Sequence, residues 1–210
     1  MNYKNYSLED FSEMLASKNP TPGGGSAAAV GGALAASLLL MVVRVTARSP
    51  ELESLEDILE AKKLKYLELI EEDADCFNRV MEAHRLPRSS EEKRQQRRRE
   101  IETALKEASN SPLEMLDLTS EIAELAVEIV EKGNPNAVAD AAAAGLAAHA
   151  AAETAFYNIM TNLESIEDEK FVERAGSRAY RLREETASLK EEVIKKTEEK
   201  ISILGRDWKL

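Results

Sequence analysis

The sequence has little of what a disulfide-linked, secreted or nucleic-acid-binding protein needs. Cys76 is its single cysteine, so no disulfide can form within the chain, and the N-terminal residues lack the apolar core of a signal peptide. Basic residues are the minority, because 28 Lys and Arg stand against 39 Asp and Glu. This balance argues against a general binder of phosphate backbones. We expect a cytoplasmic protein without a nucleic-acid partner, in which Cys76 is a small buried hydrophobe.

Aromatic residues make up only 5% of the 210 residues, and no segment shows strand-like alternation or an internal repeat. Charged residues, mostly Glu and Lys, make up 32%, which suits long helices. The length favours one domain over residues 1–210. The sequence therefore predicts an all-α fold, an orthogonal or up-down bundle of about seven helices with two buried Ala- and Gly-rich helices at its centre.

Apolar spacing and capping residues give the approximate bounds of these helices. They are 8–19, 27–43, 54–85, 91–109, 111–132, 137–162 and 168–204. The fifth has the clearest start, with Ser111 as N-cap, Pro112 at its first position and Glu114 completing a capping box. Gly133 follows its predicted end. The pattern thus places a helix boundary at Ser111.

Residues 27–43 are apolar except for Ser37, a length at the lower edge of a membrane span. The run is richer in Ala and Gly than in Leu and Phe, and it has no flanking Trp or Tyr, so we favour a buried helix and no membrane partner. Ala28, Gly32 and Ala36 lie four residues apart, which allows another backbone to approach closely. Since one chain can hardly cover such helices, we expect a homodimer.

A glycine-rich turn, Thr-Pro-Gly-Gly-Gly-Ser over residues 21–26, precedes this apolar helix. Backbone N–H groups at such a helix start can bind an anion, either phosphate or carboxylate. The turn lacks the Lys-Ser/Thr of a Walker A motif, so a nucleotide site is disfavoured. A plain turn between helices is the alternative, although Pro20 and Pro22 argue against a loose one.

Two acids and two amides are the side chains best placed for chemistry. Asp73 follows Ile70 by three residues, so it points toward the apolar stripe of its helix, where burial would raise its pKa toward the range useful for proton transfer. Asp140 lies in the first turn of an apolar helix, where an acid is also common for dipole reasons alone. Asn158 and Asn162, four residues apart, need hydrogen-bond partners if buried. A simple interhelical hydrogen bond is the alternative role for Asp73.

Neither histidine, His84 or His149, lies at metal-ligand spacing from a cysteine or carboxylate, so we expect no metal. A basic run at residues 93–99 is flanked by glutamates on both sides and indicates a solvated helix face. Attraction of an anionic substrate is the minor alternative.

Four motifs together resemble one family, the cyclodeaminase/cyclohydrolase family. They are the glycine-rich turn at 21–26, Glu-Asp-Ala-x-x-Phe-Asn at 72–78, Lys-Gly-Asn-Pro-Asn-Ala-Val-x-Asp at 132–140 and Asn-x-x-x-Asn at 158–162. The family includes the C-terminal half of formiminotransferase-cyclodeaminase and free-standing bacterial methenyltetrahydrofolate cyclohydrolases. Two positions depart from the family pattern: Ala139 stands where the family often has Ser, and Met160 where it often has Arg.

The resemblance implies an all-helical homodimer that acts on one-carbon tetrahydrofolates without a metal or a tightly bound cofactor. It favours a formiminotetrahydrofolate cyclodeaminase, with methenyltetrahydrofolate cyclohydrolase as the near alternative and a non-catalytic folate-binding or helical interaction dimer as the distant one. Asp73 and Asp140 are the expected catalytic acid and base. Arg44 or Arg48 could add positive charge. The expected substrate-binding residues are Pro22, Gly23, Gly24, Gly25, Ser26, Asn134, Asn136, Asn158 and Asn162.

Overall fold

The computed structural model describes residues 3–46 and 50–201, and every regular element in these two ranges is helical. The predicted all-α bundle of about seven helices is therefore confirmed. The α-helices are α1 (Leu8–Ala16), α2 (Gly24–Val45), α3 (Pro50–Glu53), α4 (Leu55–Arg85), α5 (Glu91–Lys132), α6 (Val138–Leu163) and α7 (Glu169–Lys200). Short 3-10 turns at Tyr3–Asn5 and Pro135–Ala137 precede α1 and α6. The part of the last predicted helix beyond residue 201 lies outside the described residues.

Side-chain caps fix the starts of three helices. Ser7, Ser90 and Asp168 begin α1, α5 and α7, and each accepts a hydrogen bond from the backbone N–H three residues further on. Such caps satisfy N–H groups that have no partner within the helix. Gly133 follows α5, as the sequence predicts.

The two Ala- and Gly-rich helices, α2 and α6, form the centre of the bundle. Helix α2 packs against α4, α5 and α6, while α6 also packs against α5 and α7. The two run antiparallel, because the start of α2 lies beside Thr154 and the N–H of Asn134 donates to Thr46 past its end. Helix α2 is long and apolar enough to cross a membrane, but 61% of its most apolar window is buried inside the bundle.

The close packing of α2 depends on a glycine at one contact with α4. The ring of Tyr66 is fully buried, and a Cβ atom at Gly32 would overlap it. The Tyr66 hydroxyl donates to the carbonyl of Met115 at 3.0 Å and pairs with Thr119, so the ring cannot move aside freely. Burial raises the pKa of this phenol. Tyr66 thus joins α2, α4 and α5.

One predicted boundary is wrong, because α5 continues from Glu91 to Lys132 without a break at Ser111. Pro112 lies inside the helix, where it removes the N–H that would bond the carbonyl of Ala108. Asn162 of α6 supplies the missing donor, with its Nδ2 3.1 Å from that oxygen. A partner from another helix therefore satisfies the carbonyl that the proline leaves unpaired.

The start of α2 also differs from the prediction. The predicted helix begins at residue 27, after the glycine-rich turn, but α2 begins at Gly24 with Gly23 as its N-cap. No residue in the described ranges has a positive φ. The glycines of the turn are therefore not needed for a left-handed backbone conformation. Their lack of a side chain instead allows neighbouring groups to approach the backbone closely.

Candidate functional site

A half-open cavity of about 280 Å³ lies where the glycine-rich turn meets α4, α5 and α6. This volume is at the low end of small-molecule sites. Its lining consists of Pro20, Thr21, Gly23, Gly24, Gly25, Asp73, Cys76, Phe77, Val80, Ala108, Pro112, Asn158 and Asn162. The structure thus brings together the glycines, one of the two acids and the amide pair that the sequence suggested.

Each helix contributes lining residues at helical spacing. Ala108 and Pro112 lie four apart on α5, and Asn158 and Asn162 lie four apart on α6. On α4 the lining residues follow Asp73 at intervals of three and four. Residues at these intervals share one helix face. The cavity is therefore walled by three helix faces and closed at one end by the turn.

Asp73 of α4 is tied to the first turn of α2 through Ser26. The Ser26 hydroxyl is fully buried and lies 3.1 Å from Oδ2 of Asp73 and 3.1 Å from the carbonyl oxygen of Ile70. The backbone N–H of Ser26 also favours the charged form of the Asp73 carboxyl. The carboxyl thus occupies the anion-binding end of α2, which has no side-chain cap of its own.

Gly25 is the residue that lets Asp73 come so close. A Cβ atom at position 25 would overlap the Asp73 carboxyl group, whereas one at Gly24 would meet its neighbours at 3.8 Å, an ordinary contact. The last glycine of the turn therefore makes room for a carboxyl that the protein itself provides. In this structure the side chain of Asp73 lies at this helix start, and binding of a substrate anion by the turn stays a prediction.

Burial raises the pKa of Asp73 above its ordinary value, and the hydroxyl and N–H of Ser26 offset part of that rise. Among residues 3–46 and 50–201, no basic side chain contributes to the shift. A carboxyl with a raised pKa, on the wall of a cavity, can both take up and release a proton closer to neutral pH than an exposed aspartate.

The two asparagines of α6 present acceptors. Asn158 donates its Nδ2 to the carbonyl of Thr154 at 2.9 Å, and Asn162 donates its Nδ2 to the carbonyl of Ala108 at 3.1 Å. Since a carbonyl only accepts hydrogen bonds, each amide nitrogen is identified as the donor, and each side chain keeps its oxygen as an acceptor and its second N–H as a donor for other partners. The cavity therefore has two amide groups whose nitrogens are engaged.

Cys76 lines the cavity although only 8% of it is exposed. Burial raises the pKa of its thiol, while Arg79, which donates to Sγ at 3.0 Å, partly offsets the rise. The thiol is thus a neutral part of the wall, in keeping with the sequence-based interpretation. Its spacing of three residues from Asp73 was the signal for its place in the cavity.

Asp140, Asn134 and Asn136 do not reach this cavity within one chain. Asp140 lies in the first turn of α6, eighteen residues and therefore about 27 Å along the helix from Asn158. Asn134 accepts from the N–H of Asn136 and donates to the carbonyl of Val45, so it joins the α5–α6 turn to the end of α2. The roles of these three residues in a site remain predictions.

The remaining candidate site residues do not line the cavity or lie outside the described residues. Pro22 is buried beneath the turn and does not contribute to the lining. Arg44 lies at the far end of α2, where it forms ion pairs with Glu56 and Glu60, so it does not reach this cavity within one chain. Arg48 lies outside the described residues. Within the described ranges, no cluster of three His, Cys, Asp or Glu side chains could hold a metal ion.

Comparisons with known proteins agree on one family. Its sequence model, described as formiminotransferase-cyclodeaminase, matches residues 7–181. The chain is 34% identical over 205 residues to a methenyltetrahydrofolate cyclohydrolase of Methylorubrum extorquens, an alignment that covers 94% of this chain and 99% of the relative. It is 26% identical over 186 residues to the mouse formimidoyltransferase-cyclodeaminase, of which it spans 34%.

A solved structure matches the fold over almost its whole length. The crystal structure of formiminotetrahydrofolate cyclodeaminase from Thermotoga maritima superimposes with a TM-score of 0.84 at 30% sequence identity. The match covers 93% of this chain and 98% of that one.

Proposed function

The chain belongs to the formiminotransferase-cyclodeaminase family, and from this premise we propose that it converts 5-formiminotetrahydrofolate into 5,10-methenyltetrahydrofolate and ammonia. The observation that carries the proposal is the Asp73 carboxyl: it lines the cavity, its pKa is raised by burial, and no basic side chain of the described residues offsets that rise. Both the protonated substrate and the product carry an amidinium-type positive charge. A carboxylate beside that charge stabilises it, and a cavity shielded from water strengthens the effect.

The reaction needs one proton to move between two nitrogens. N10 of the protonated substrate attacks the formimino carbon, a new C–N10 bond forms, and the bond from that carbon to the amino nitrogen breaks. The proton lost by N10 equals the one gained by the leaving nitrogen, which departs as ammonia. Asp73 can take the first proton and deliver it to the second nitrogen, because its raised pKa suits both steps. No cofactor beyond the folate enters this scheme.

Methenyltetrahydrofolate cyclohydrolase is the second candidate activity. Its specific support is the Methylorubrum relative, which matches at 34% identity over 99% of its own length. In that reaction water adds to the same carbon of the methenyl cation, and Asp73 as a base would accept one proton from the water. The bond from that carbon to N5 then breaks, the second water proton goes to N5, and the carbon remains on N10 as a formyl group. One site can therefore serve either reaction.

The methenyl chromophore separates these proposals. Purified protein is mixed with 5-formiminotetrahydrofolate, and separately with 5,10-methenyltetrahydrofolate, while the ultraviolet absorbance of the methenyl group is followed. Growth of the band supports cyclodeaminase, and decay above the spontaneous rate supports cyclohydrolase. An unchanged rate in both cuvettes would reject both activities and leave the non-catalytic folate-binding or interaction dimer.

We also propose that the protein works as a two-fold dimer. An uncharged stripe runs along the outer side of α2 and α6, and its middle is formed by Leu34 (58% exposed) and Leu146 (47% exposed). Leu34 and Leu146 lie at nearly the same position along the axes of the two antiparallel helices, because Gly31 faces Ala147 and Ala151 across the helix pair. A second copy of the chain would remove this apolar surface from water.

A dimer of this kind also accounts for the residues that one chain leaves far from its cavity. A two-fold axis that passes beside Leu34, perpendicular to α2 and α6, would make each of these helices antiparallel to its copy in the partner. The Asp140 end of one α6 would then approach the glycine-rich turn of the other protomer. The separation of Asp140 and Asn136 from Asp73 within one chain supports a site completed by the second copy.

Mixing two inactive variants tests this arrangement. Asp73→Asn and Asp140→Asn protomers are unfolded together, refolded and assayed as the mixture. If each site takes Asp73 from one chain and Asp140 from the other, half of the molecules are mixed dimers with one intact site each, and the mixture recovers about a quarter of wild-type activity. A mixture as inactive as its parents would contradict a shared site.

A further inference from the structure

Pro112 lies in the middle of the 42-residue helix α5 and on the wall of the cavity. Because proline has no N–H, the carbonyl of Ala108 has no donor within the helix. Ala108 lines the same cavity, so this free carbonyl is a property of the site and not of a remote helix. The helix nevertheless continues to Lys132.

Asn162 of α6 supplies the missing hydrogen-bond donor. Its Nδ2 donates to the carbonyl of Ala108 at 3.1 Å, across a sequence separation of 54 residues. That hydrogen bond determines which way the amide group faces, because only the nitrogen can donate to a carbonyl. Among the described residues, no protein donor bonds the Asn162 side-chain oxygen, and Asn162 is part of the cavity lining.

Asn158 provides a contrast one helical turn away. Its Nδ2 donates to Thr154, four residues back on the same helix, so its orientation does not depend on α5. The Asn162 amide, by comparison, is oriented by a carbonyl that is available only because residue 112 is a proline. An ordinary residue there would offer its own N–H to Ala108 and would compete with Asn162.

We propose that Pro112 is a positioning residue: by denying Ala108 a helical hydrogen bond, it fixes the Asn162 amide so that the side-chain oxygen accepts an N–H of the substrate. This inference rests on the proposed folate activity for the identity of the substrate. The coupling between Pro112 and Asn162 is a property of the fold alone.

A thermal double-mutant cycle tests the coupling without any substrate. The variants are Pro112→Ala, Asn162→Ala and the double variant, and Asn162→Asp keeps the side-chain shape while it removes the donor. In the parent, loss of the Asn162 donor leaves the Ala108 carbonyl unpaired and lowers Tm by about 3 °C. In the Pro112→Ala background the helical N–H takes over, and the same loss lowers Tm by less than about 1 °C.

Asn158→Ala is the matched control, because the carbonyl that Asn158 contacts is on its own helix. Its Tm shift is expected to be the same in the parent as in the Pro112→Ala background. Equal shifts for Asn162→Ala in the two backgrounds would overturn the coupling.

Kinetics test the positioning role. Pro112→Ala and Asn162→Ala are each expected to raise the KM for the folate substrate about tenfold with kcat within about twofold of the parent, and the double variant adds little more. A Pro112→Ala protein with unchanged KM would overturn the positioning role even if the thermal coupling is present. If the parent turns over neither folate, the proposed function fails, and the thermal cycle still decides whether Pro112 orients Asn162.

Discussion

Gly25→Ala is the substitution that tests the role of the glycine-rich turn most directly. The added methyl group would overlap the Asp73 carboxyl, which is held between the first turn of α2 and its own helix by Ser26. Asp73 can relieve the overlap only by rotating away, and this breaks its contact with Ser26. The carboxyl then leaves the cavity wall.

Gly25→Ala is expected to lower stability moderately and activity strongly. Overpacking costs about 1–3 kcal/mol and the lost hydrogen bond about 1 kcal/mol, against a gain of up to about 1 kcal/mol from helix propensity. The net loss of about 2 kcal/mol lowers Tm by about 4–8 °C. A displacement of about 1 Å at a reacting group costs on the order of 100-fold in turnover. The variant should therefore be folded at 25 °C and nearly inactive.

Gly31→Ala is the matched control in the same helix. A Cβ atom there would lie 3.7 Å from the Cβ of Ala151, an ordinary contact, so we expect an unchanged or slightly higher Tm and turnover within about twofold of the parent. Both variants are compared in the methenyl absorbance assay and by calorimetry. A Gly25→Ala protein that keeps turnover within threefold of the parent would refute the reasoning.

Three further predictions concern pH, packing and assembly. Burial raises the Asp73 pKa in the folded state, so its contribution to stability is present below the ordinary value of 3.8 and is lost as pH rises through the folded value. Asp73→Asn should thus match the parent Tm at pH 3.5 and exceed it at pH 7, and calorimetry showing the reverse would contradict this. Gly32→Ala would force a methyl group into the buried ring of Tyr66 and should lower the free energy of unfolding by about 3 kcal/mol in urea titrations. Leu34→Glu should convert the proposed dimer to monomers in light scattering, whereas Leu64→Glu, at a similarly exposed leucine of α4, should not.

The sequence predicted the helical bundle, its two apolar central helices and the inward direction of Asp73, because each depends on spacing within one helix. It misplaced the break in α5, because Ser111 and Pro112 form a good local start signal. Helix α5 continues through this point because Asn162 donates a hydrogen bond to the carbonyl of Ala108, which Pro112 leaves unpaired. A contact across 54 residues leaves no trace in local patterns.

The glycine-rich turn shows the same limit. Its composition indicated a helix start able to bind an anion, but the sequence could not show that the carboxyl of Asp73, from another helix, lies there. Asp140 shows the opposite case, since its motif matches the family while its place in the chain is far from the cavity. Only an assembly of two chains could bring it near, and a single sequence does not encode that geometry in any local signal.

The central claim is that Asp73 acts on the one-carbon unit of a folate, and parallel turnover assays of the parent and Asp73→Asn test it most directly. With 5-formiminotetrahydrofolate or 5,10-methenyltetrahydrofolate as substrate, the parent should change the methenyl absorbance well above the spontaneous rate. Asp73→Asn, folded and with an unchanged oligomeric state, should lose at least about 100-fold of that rate. A folded Asp73→Asn protein with near-parental turnover would contradict the account.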